Sequence, residues 1–208
     1  MSFNGAAPAA AHVRRELHAG ERPIMVYVGK FSGWYLEREM VDFFVTAREV
    51  SPDLMFLVLT QSDRTLIEAE FARARIPADD YRVTRVAPEE VGRYLSVAEF
   101  GLSFVRPCFS KISSSPTKIG EYLAAGLPVV STAGIGDVDE LLEGRDVGVL
   151  VRKLDQRGYE AATQAALALA ADPQARERCH QVARETLSLD EVGIPRYDRV
   201  YRTVADGR

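Results

Sequence analysis

The sequence predicts an α/β fold: a doubly wound, mostly parallel, six-stranded Rossmann-like sheet with helices on both faces. Three observations predict this fold. Strand-like and helix-like segments alternate about six times along the 208 residues. Most strand-like segments are apolar throughout, which is typical of strands that are buried on both faces. Right-handed crossovers between such strands then place helices on both sides of one sheet.

Six short segments are predicted as strands because aliphatic and β-branched residues dominate them. They cover residues 23–29, 54–60, 81–86, 99–105, 127–131 and 147–151. The segments between and after them carry helix-start residues or apolar residues at helical spacing. The predicted helices cover residues 34–50, 63–75, 88–95, 116–125, 138–143, 159–171, 173–186 and 192–204. Because ligands of such sheets bind beyond the carboxyl ends of the strands, the loops at those ends hold the candidate site.

The chain divides into three predicted parts. Residues 1–20 begin with an Ala-rich run and are predicted to be a linker or disordered segment with a short helix. Residues 21–190 form the Rossmann-like domain, and residues 191–208 form a C-terminal helix.

The composition is ordinary for a globular protein and excludes several functional classes. The formal net charge is −4 and the sequence pI is about 5.5, whereas a nucleic-acid footprint is normally basic. No apolar run approaches the ~18 residues that a membrane span needs. Cys108 and Cys179 lack metal-ligand spacing, so we expect free thiols in a reducing, cytoplasmic compartment. No metal and no cofactor are predicted.

The segment 113–142 is the most informative part of the chain, because it combines a helix start, a helix stop, a buried strand and a Gly-rich loop. Ser115 is suited to the N-cap and Pro116 to the first helical position. Gly126 fits the position just past the helix end, and Pro128 prevents its continuation.

Lys118 is unusual because it falls in the first turn of this predicted helix, where a cation opposes the helix dipole. A helix start with free N–H groups and a lysine suits a bound phosphate. Glu121 lies three residues on, so we expect it on the same helix face, where its carboxylate can accept ribose hydroxyl protons. This pairing suits a sugar nucleotide. A surface Lys–Glu pair on an ordinary helix is the alternative.

The loop after the first strand, VGKFSGWY, is a second candidate for phosphate binding. It contains neither GxGxxG nor GxxxxGK[ST], so neither a dinucleotide fingerprint nor a P-loop is supported. Gly29 would allow close backbone approach, and Lys30 can bind phosphate. A plain strand-to-helix turn with a solvated lysine is the alternative. Trp34 and Tyr35 are predicted to open the next helix, where they either stack on a ligand or anchor that helix on the sheet.

Two further loops lie at the same predicted edge of the sheet. In the loop 132–139, Gly134 and Gly136 are expected to present open backbone amides, and Asp137 is expected to cap the following helix. The loop 106–114 has two cations and three hydroxyl groups, and it suits the lip of an anion site or a mobile lid.

These residues resemble those of a known enzyme group. The run SPTKIGEYLAAGLPVVSTAGIGDVDELL (residues 115–142) resembles the donor-binding region of retaining glycosyltransferases of the GT-B fold, in the glycogen-synthase-like group (family four). The run YVGKFSGWY (residues 27–35) resembles the first strand and phosphate loop of the same domain. The resemblance covers residues 23–151 and implies one half of a GT-B fold.

The resemblance implies roles for individual residues. Glu121 matches the second glutamate of the group's E-x7-E motif, which binds the nucleotide ribose, while the position of the first glutamate holds Ser113. Lys30 matches the basic residue that contacts pyrophosphate. The group's second basic residue is not evident, and we expect Lys118 to replace its charge. The predicted catalytic residues are Lys30, Lys118 and Glu121. The predicted donor-binding residues are Gly29, Ser32, Gly33, Arg85, Val86, Ser115, Pro116, Thr117, Lys118, Glu121, Gly134 and Ile135.

The resemblance also implies partners. A nucleotide-sugar is the expected donor, and an N-terminal acceptor domain of the same polypeptide would cover the helix at 192–204, whose exposed apolar face otherwise favours self-association. Any peripheral membrane contact would come through that domain. A non-catalytic nucleotide or phosphosugar binding module, and a domain whose site has decayed, are the alternative functions. The sequence does not choose between UDP-sugars and GDP-sugars.

Overall fold

A computed structural model describes residues 6–31 and 33–206, and its sheet confirms the predicted fold class. The strands are β1 Ile24–Val28, β2 Met55–Leu59, β3 Tyr81–Thr84, β4 Phe100–Ser103, β5 Val129–Thr132 and β6 Gly148–Val151. Their order in the sheet is β3-β2-β1-β4-β5-β6. Every neighbouring pair is parallel, so the described sheet is wholly parallel. The order reverses between β1 and β4, where a doubly wound sheet opens a crevice.

The helices occupy the predicted segments with shifted boundaries. They are α1 Ala6–Glu16, α2 Glu37–Val50, α3 Arg64–Arg73, α4 Val91–Leu95, α5 Thr117–Ala124, α6 Val138–Glu143, α7 Gln156–Ala171, α8 Ala175–Val182 and α9 Ile194–Ala205. Short 3₁₀ turns cover Ala78–Asp80, Pro88–Glu90 and Phe109–Lys111, and π-helical turns cover Ala183–Leu187 and Leu189–Gly193. The sheet separates two buried clusters, one mainly aliphatic and one rich in aromatic rings.

The segment 34–36 differs from the prediction, since Trp34 and Tyr35 do not open α2. Tyr35 instead forms an antiparallel bridge with Val105, and the Leu36 amide donates to the Phe104 carbonyl. Backbone hydrogen bonds to the end of β4 therefore hold this segment extended, which keeps the Tyr35 ring beside the carboxyl ends of the strands.

The N-terminal helix α1 packs on the aliphatic side of the domain. Val13 and Leu17 are buried in the aliphatic cluster. The Arg14 guanidinium donates to the carbonyls of Gly20, Arg22 and Val97. These contacts hold α1 at the amino ends of the strands. The short helix expected within residues 1–20 is present at Ala6–Glu16, and the division into a linker and a domain stays a prediction.

At the reversal point of the sheet, Tyr122 of α5 joins β1 to β4. The two strands pair only through Met25–Phe100 and Val26–Gly101. Beyond that, the buried Tyr122 hydroxyl accepts from the Val28 amide at 2.8 Å and donates to the Leu102 carbonyl at 3.0 Å. The ring lies on Gly101, where a Cβ atom would stand 2.6 Å from it. Tyr122 therefore fixes α5 over the crevice.

The substitution Tyr122→Phe tests the role of the hydroxyl group that joins β1 to β4. It leaves the Val28 amide and the Leu102 carbonyl without their partner, so we expect a loss of about 2–4 kcal/mol in the free energy of unfolding. Urea unfolding measures it, and Tyr201→Phe on the exposed face of α9 is the control, with an expected change under about 0.5 kcal/mol. A loss in Tyr122→Phe no larger than in the control would contradict this account.

Candidate functional site

A cavity of about 580 Å³ opens at the carboxyl ends of β1, β2 and β3 and extends to α5. Its lining combines apolar side chains with a lysine, a carboxylate and hydroxyl or amide groups. The lining residues are Val28, Gly29, Lys30, Leu59, Thr60, Gln61, Ser62, Val86, Pro88, Val91 and Glu121. The structure thus brings four predicted site residues to one cavity: Gly29, Lys30, Val86 and Glu121.

The loop after β1 is held in shape by its neighbours. Gly29 has a φ of 131°, which side-chain-bearing residues rarely adopt. The Tyr27 hydroxyl donates to the Lys30 carbonyl at 2.6 Å, and the Phe31 amide donates to Ser62 Oγ at 2.9 Å. The loop is therefore pre-organised, with the Lys30 side chain exposed beside the cavity. Ser32 lies outside the described residues, and Gly33 is exposed and does not line the cavity.

The loop after β2 also belongs to the site, although the sequence analysis did not single it out. Thr60, Gln61 and Ser62 line the cavity, and the Ser62 amide donates to Thr60 Oγ1. These residues form no known motif. The available signal was their position after a buried strand that neighbours β1, together with their polar side chains.

The apolar wall of the cavity is closed by the segment after β3. The carbonyl of Val86 accepts from Gln61 Nε2 at 2.9 Å, which links the loops after β2 and β3. Arg85 is exposed and donates to the Gln61 carbonyl at 3.3 Å. Val86 therefore faces the cavity, whereas Arg85 supports the adjoining loop from outside it.

The start of α5 differs from the predicted one by one residue. Pro116 occupies the N-cap position without a side-chain hydrogen bond, and the helix begins at Thr117. Ser115 therefore precedes the cap, and Lys118 is the second helical residue. The first amides of the helix have no partner within it. Ser115, Pro116 and Thr117 do not line the cavity in this structure.

The Lys118 side chain is buried, with 4% exposure. Its Nζ lies 3.5 Å from the centroid of the Tyr35 ring and 4.7 Å from that of Tyr27. It also lies 3.5 Å from the Tyr27 hydroxyl. A Cβ atom on Gly29 would stand 3.4 Å from this Nζ, so the amine lies against the loop after β1. Lys118 and Gly29 thus come together although 89 positions separate them in the sequence.

Burial lowers the pKa of Lys118 to about 7. Removal from water disfavours the charged form of an amine, and the nearby Glu121 carboxylate raises the pKa by a smaller amount. The two side chains do not share one environment as predicted: Glu121 is exposed at the cavity and Lys118 is enclosed behind it. Burial also raises the pKa of Tyr27 and of Tyr122 well above the usual range, so both phenols stay neutral.

The Gly-rich loop after β5 does not present the open amides that were expected. The Gly134 amide donates to Asp139 Oδ1 at 2.9 Å, and the Gly136 amide donates to the Lys111 carbonyl at 3.0 Å. Ile135 is fully buried in the aliphatic cluster. Asp137 occupies the N-cap position of α6 but makes no side-chain cap, so the expected capping by Asp137 is not found.

The loop 106–114 forms an exposed lip beside this edge of the sheet. Phe109 and Ile112 are among the exposed apolar side chains, and Lys111 Nζ lies 4.9 Å from the centroid of the exposed Trp34 ring. The described residues contain no group of three or more side chains suited to a metal ion. None of the described helices is long and apolar enough to cross a bilayer.

A parallel sheet of order 3-2-1-4-5-6 with a cavity at the carboxyl ends of β1, β2 and β3 defines a Rossmann-like domain. The chain belongs to the family described as glycosyl transferases group 1, whose model matches residues 22–172. This match confirms the resemblance to glycosyltransferases. A search of curated protein sequences finds no match.

Solved structures share this fold at low sequence identity. A glycosyltransferase from Rickettsia africae superposes with a TM-score of 0.79 at 12% identity, over 97% of this chain and 53% of that one. An α,α-trehalose-phosphate synthase (UDP-forming) from Burkholderia vietnamiensis gives 0.73 at 18%, over 99% and 50%. Anabaena HepE in complex with UDP and glucose gives 0.73 at 12%, over 96% and 52%. The chain therefore spans about half the length of these proteins.

The substitution Lys118→Met tests whether the buried amine costs stability. The amine of Lys118 has a pKa of 10.5 in the unfolded chain and about 7 in the folded one, so it binds its proton more tightly when the chain is unfolded. Protonation therefore destabilises the folded chain below about pH 10.5, and this destabilisation reaches its full size below about pH 7. We expect Lys118→Met to raise the free energy of unfolding at about pH 7 by roughly 1–4 kcal/mol. The gain should shrink as the pH rises towards the pKa of free lysine.

Urea unfolding across this pH range measures the effect. Lys153→Met removes an exposed lysine and serves as the matched control, with an expected change under about 0.5 kcal/mol. Destabilisation of Lys118→Met at neutral pH would show that the ammonium is well solvated or paired in the folded chain.

Proposed function

We propose that this chain is the donor-binding domain of a retaining glycosyltransferase, which transfers a sugar from a nucleoside-diphosphate sugar to an acceptor. One observation carries the proposal: Gly29, Lys30, Val86 and Glu121 line a single cavity, and the buried Lys118 adjoins its phosphate loop. Hexosyl or related transfer is the expected reaction. The membership in a glycosyltransferase family supports the proposal.

The cavity has a suitable surface for each part of a nucleotide. Leu59, Val86 and Val91 provide an apolar surface for a base. The Glu121 carboxylate is an acceptor for ribose hydroxyl groups. Lys30 lines the cavity and suits a diphosphate. The first amides of α5, which do not line the cavity, add the positive end of the helix dipole. The positions are consistent with one ligand that runs from the segment after β3 to the start of α5.

The chemistry follows from where negative charge develops. When the bond between the sugar C1 atom and the diphosphate oxygen breaks, the electron pair moves onto the leaving diphosphate. Lys30, Lys118 and the α5 start would stabilise that charge. For retention, the acceptor hydroxyl attacks the face that the diphosphate leaves, and its proton passes to a diphosphate oxygen. Glu121 holds the ribose and so positions the reacting bond.

The remaining parts of such an enzyme would lie outside this chain. In α9, Ile194, Tyr197, Tyr201 and Val204 are exposed at helical spacing, which makes an unpaired apolar stripe. We propose that an N-terminal acceptor domain of the same polypeptide covers this stripe. The isolated chain would then bind donor weakly and turn over little. A cytoplasmic location is part of this proposal, with any peripheral membrane contact made through the acceptor domain.

A non-catalytic nucleotide or phosphosugar binding module is the second candidate. The observation that favours it is Ser113, which stands where the family pattern implies the first glutamate of E-x7-E. A domain with a decayed site is the third, and it predicts no nucleotide affinity that depends on the cavity residues.

Calorimetric titration of the chain with UDP, GDP and ADP tests the proposal. We expect saturable binding of UDP or GDP, which would also identify the base. Lys118→Met and Glu121→Gln should each weaken that binding by about 10–100-fold, since each removes a hydrogen bond or ion pair that involves a charged group.

Lys153→Met is the control for these titrations and should bind with unchanged affinity. Absence of saturable binding by all three nucleotides would contradict the proposal for this chain. Equal affinities of the two site variants and the unsubstituted chain would show that the nucleotide binds elsewhere.

The stripe on α9 predicts concentration-dependent self-association of the isolated chain, because unpaired apolar faces pair with one another in water. Sedimentation velocity measures it. We expect the double variant Tyr197→Glu, Tyr201→Glu to sediment as a monomer at every concentration. Thr203→Glu adds a charge on the opposite side of the helix and should leave the association intact. A monomer at high concentration without any substitution would contradict this prediction.

A further inference from the structure

Lys118 is enclosed by groups that accept a cation only weakly. From β1, the Tyr27 ring and hydroxyl lie within 4.7 Å and 3.5 Å of Nζ. From the segment before α2, the Tyr35 ring centroid lies 3.5 Å away. Rings attract a cation through their electron-rich faces but do not neutralise its charge. The enclosure therefore holds the amine in place and leaves a protonated Lys118 with a net charge that no contact cancels.

The charged groups near the enclosure do not supply a counter-ion. On α5 itself, Glu121 is exposed at the cavity, and no salt bridge within 4.0 Å joins Lys118 to a described carboxylate. Glu37, at the start of α2, raises the pKa of the Tyr27 phenol through its negative charge, but it forms no salt bridge with Lys118. Lys30, the next residue after Gly29, adds positive charge. Tyr122 is neutral and is bonded to two backbone groups.

An amine in this environment costs free energy when it is charged and little when it is neutral. On the side of the loop after β1, Nζ lies against Gly29, where a Cβ atom would stand 3.4 Å from it, so no side chain of that residue separates the amine from the loop. An anion on that loop would pair with the charged form and favour it.

We propose that the diphosphate of the donor is the missing counter-ion of Lys118, so that the chain takes up a proton at this amine when the diphosphate binds. This inference rests on the proposed function and deepens it, since it makes donor affinity and release respond to pH. No bond other than N–H forms, and the proton comes from the solvent.

The direction of the pH dependence follows from the pKa of Lys118 without and with a bound diphosphate. Without ligand, burial lowers the pKa of Lys118 to about 7. A diphosphate beside the amine raises this pKa. Affinity is then highest at or below neutral pH, where the amine is already charged, and falls as the pH rises, because binding must first protonate it. We expect roughly a tenfold loss of affinity between about pH 7 and pH 8.5.

Titration calorimetry at about pH 8 measures the proton directly. The chain is titrated with UDP and with GDP in two buffers of different ionisation enthalpy, HEPES and Tris, and the difference in binding heat counts the protons taken up. The ligand phosphates are fully ionised at this pH, since their last pKa is near 6. We expect nearly one proton per bound nucleotide, and we expect the same from the control Lys153→Met.

Two variants separate Lys118 from other titrating groups. Lys118→Arg keeps a permanent charge, so it should bind without proton uptake and with a flatter pH dependence. Lys118→Met has no amine, so its weaker binding should also proceed without proton uptake. Tyr35→Leu opens one side of the enclosure to water and should reduce the uptake at pH 8, because a hydrated amine is already protonated there.

The outcomes distinguish this inference from the function on which it rests. Saturable binding with no proton uptake in the unsubstituted chain would overturn the inference and leave the proposed function standing. Proton uptake that persists in Lys118→Met would overturn the assignment to this residue. A chain that binds neither UDP nor GDP would overturn both the proposed function and the inference.

Discussion

The geometry of the site depends on the hydroxyl group of Tyr122. Where β1 and β4 diverge, two backbone groups would be left without partners, and a buried unpaired amide or carbonyl is costly. The Tyr122 hydroxyl bonds to both, and Gly101 provides the space for its ring. Because Tyr122 belongs to α5, the same bonds that close the sheet also fix the helix that carries Lys118 and Glu121. The crevice and its charged groups therefore form a single structural unit.

The fold was largely readable from the sequence, whereas the contacts within the site were not. Apolar runs at the strands and glycine or proline at the helix ends are local signals, and they placed all six strands. The bridge between Tyr35 and Val105 and the burial of α1 are tertiary effects that override local preference. The sequence pattern correctly predicted that Lys30 and Glu121 lie at the carboxyl edge of the sheet. It did not show that Tyr27 and Tyr35 enclose Lys118, because each of these residues comes from a different element.

The loops after β2 and β5 also show what local sequence motifs fail to predict: one loop lines the cavity without a motif, and the other has a motif but no open amide at Gly134. Ser62 lines the cavity and supports the Phe31 amide, yet it stands in no motif. Gly134 stands in a glycine-rich loop, yet Asp139 already occupies its amide. Composition therefore predicts which loops reach the edge of the sheet. It does not predict which backbone donors stay open, because that depends on side chains five positions away for Gly134 and 31 positions away for Phe31.

The two lysines of the candidate site differ in their exposure to water and in how firmly their side chains are held. Lys30 is exposed and hydrated, so an anion must displace water and fix a flexible side chain before the charge acts on it. Lys118 is already desolvated and held between two rings, so the cost of its orientation is met when the chain folds. Preorganised charge of this kind is effective where negative charge develops during a reaction. A charged amine in a packed position is less favourable than methionine would be there, so packing alone does not account for Lys118. This local conflict supports the proposal that an anion binds beside Lys118 at the β1–β4 reversal.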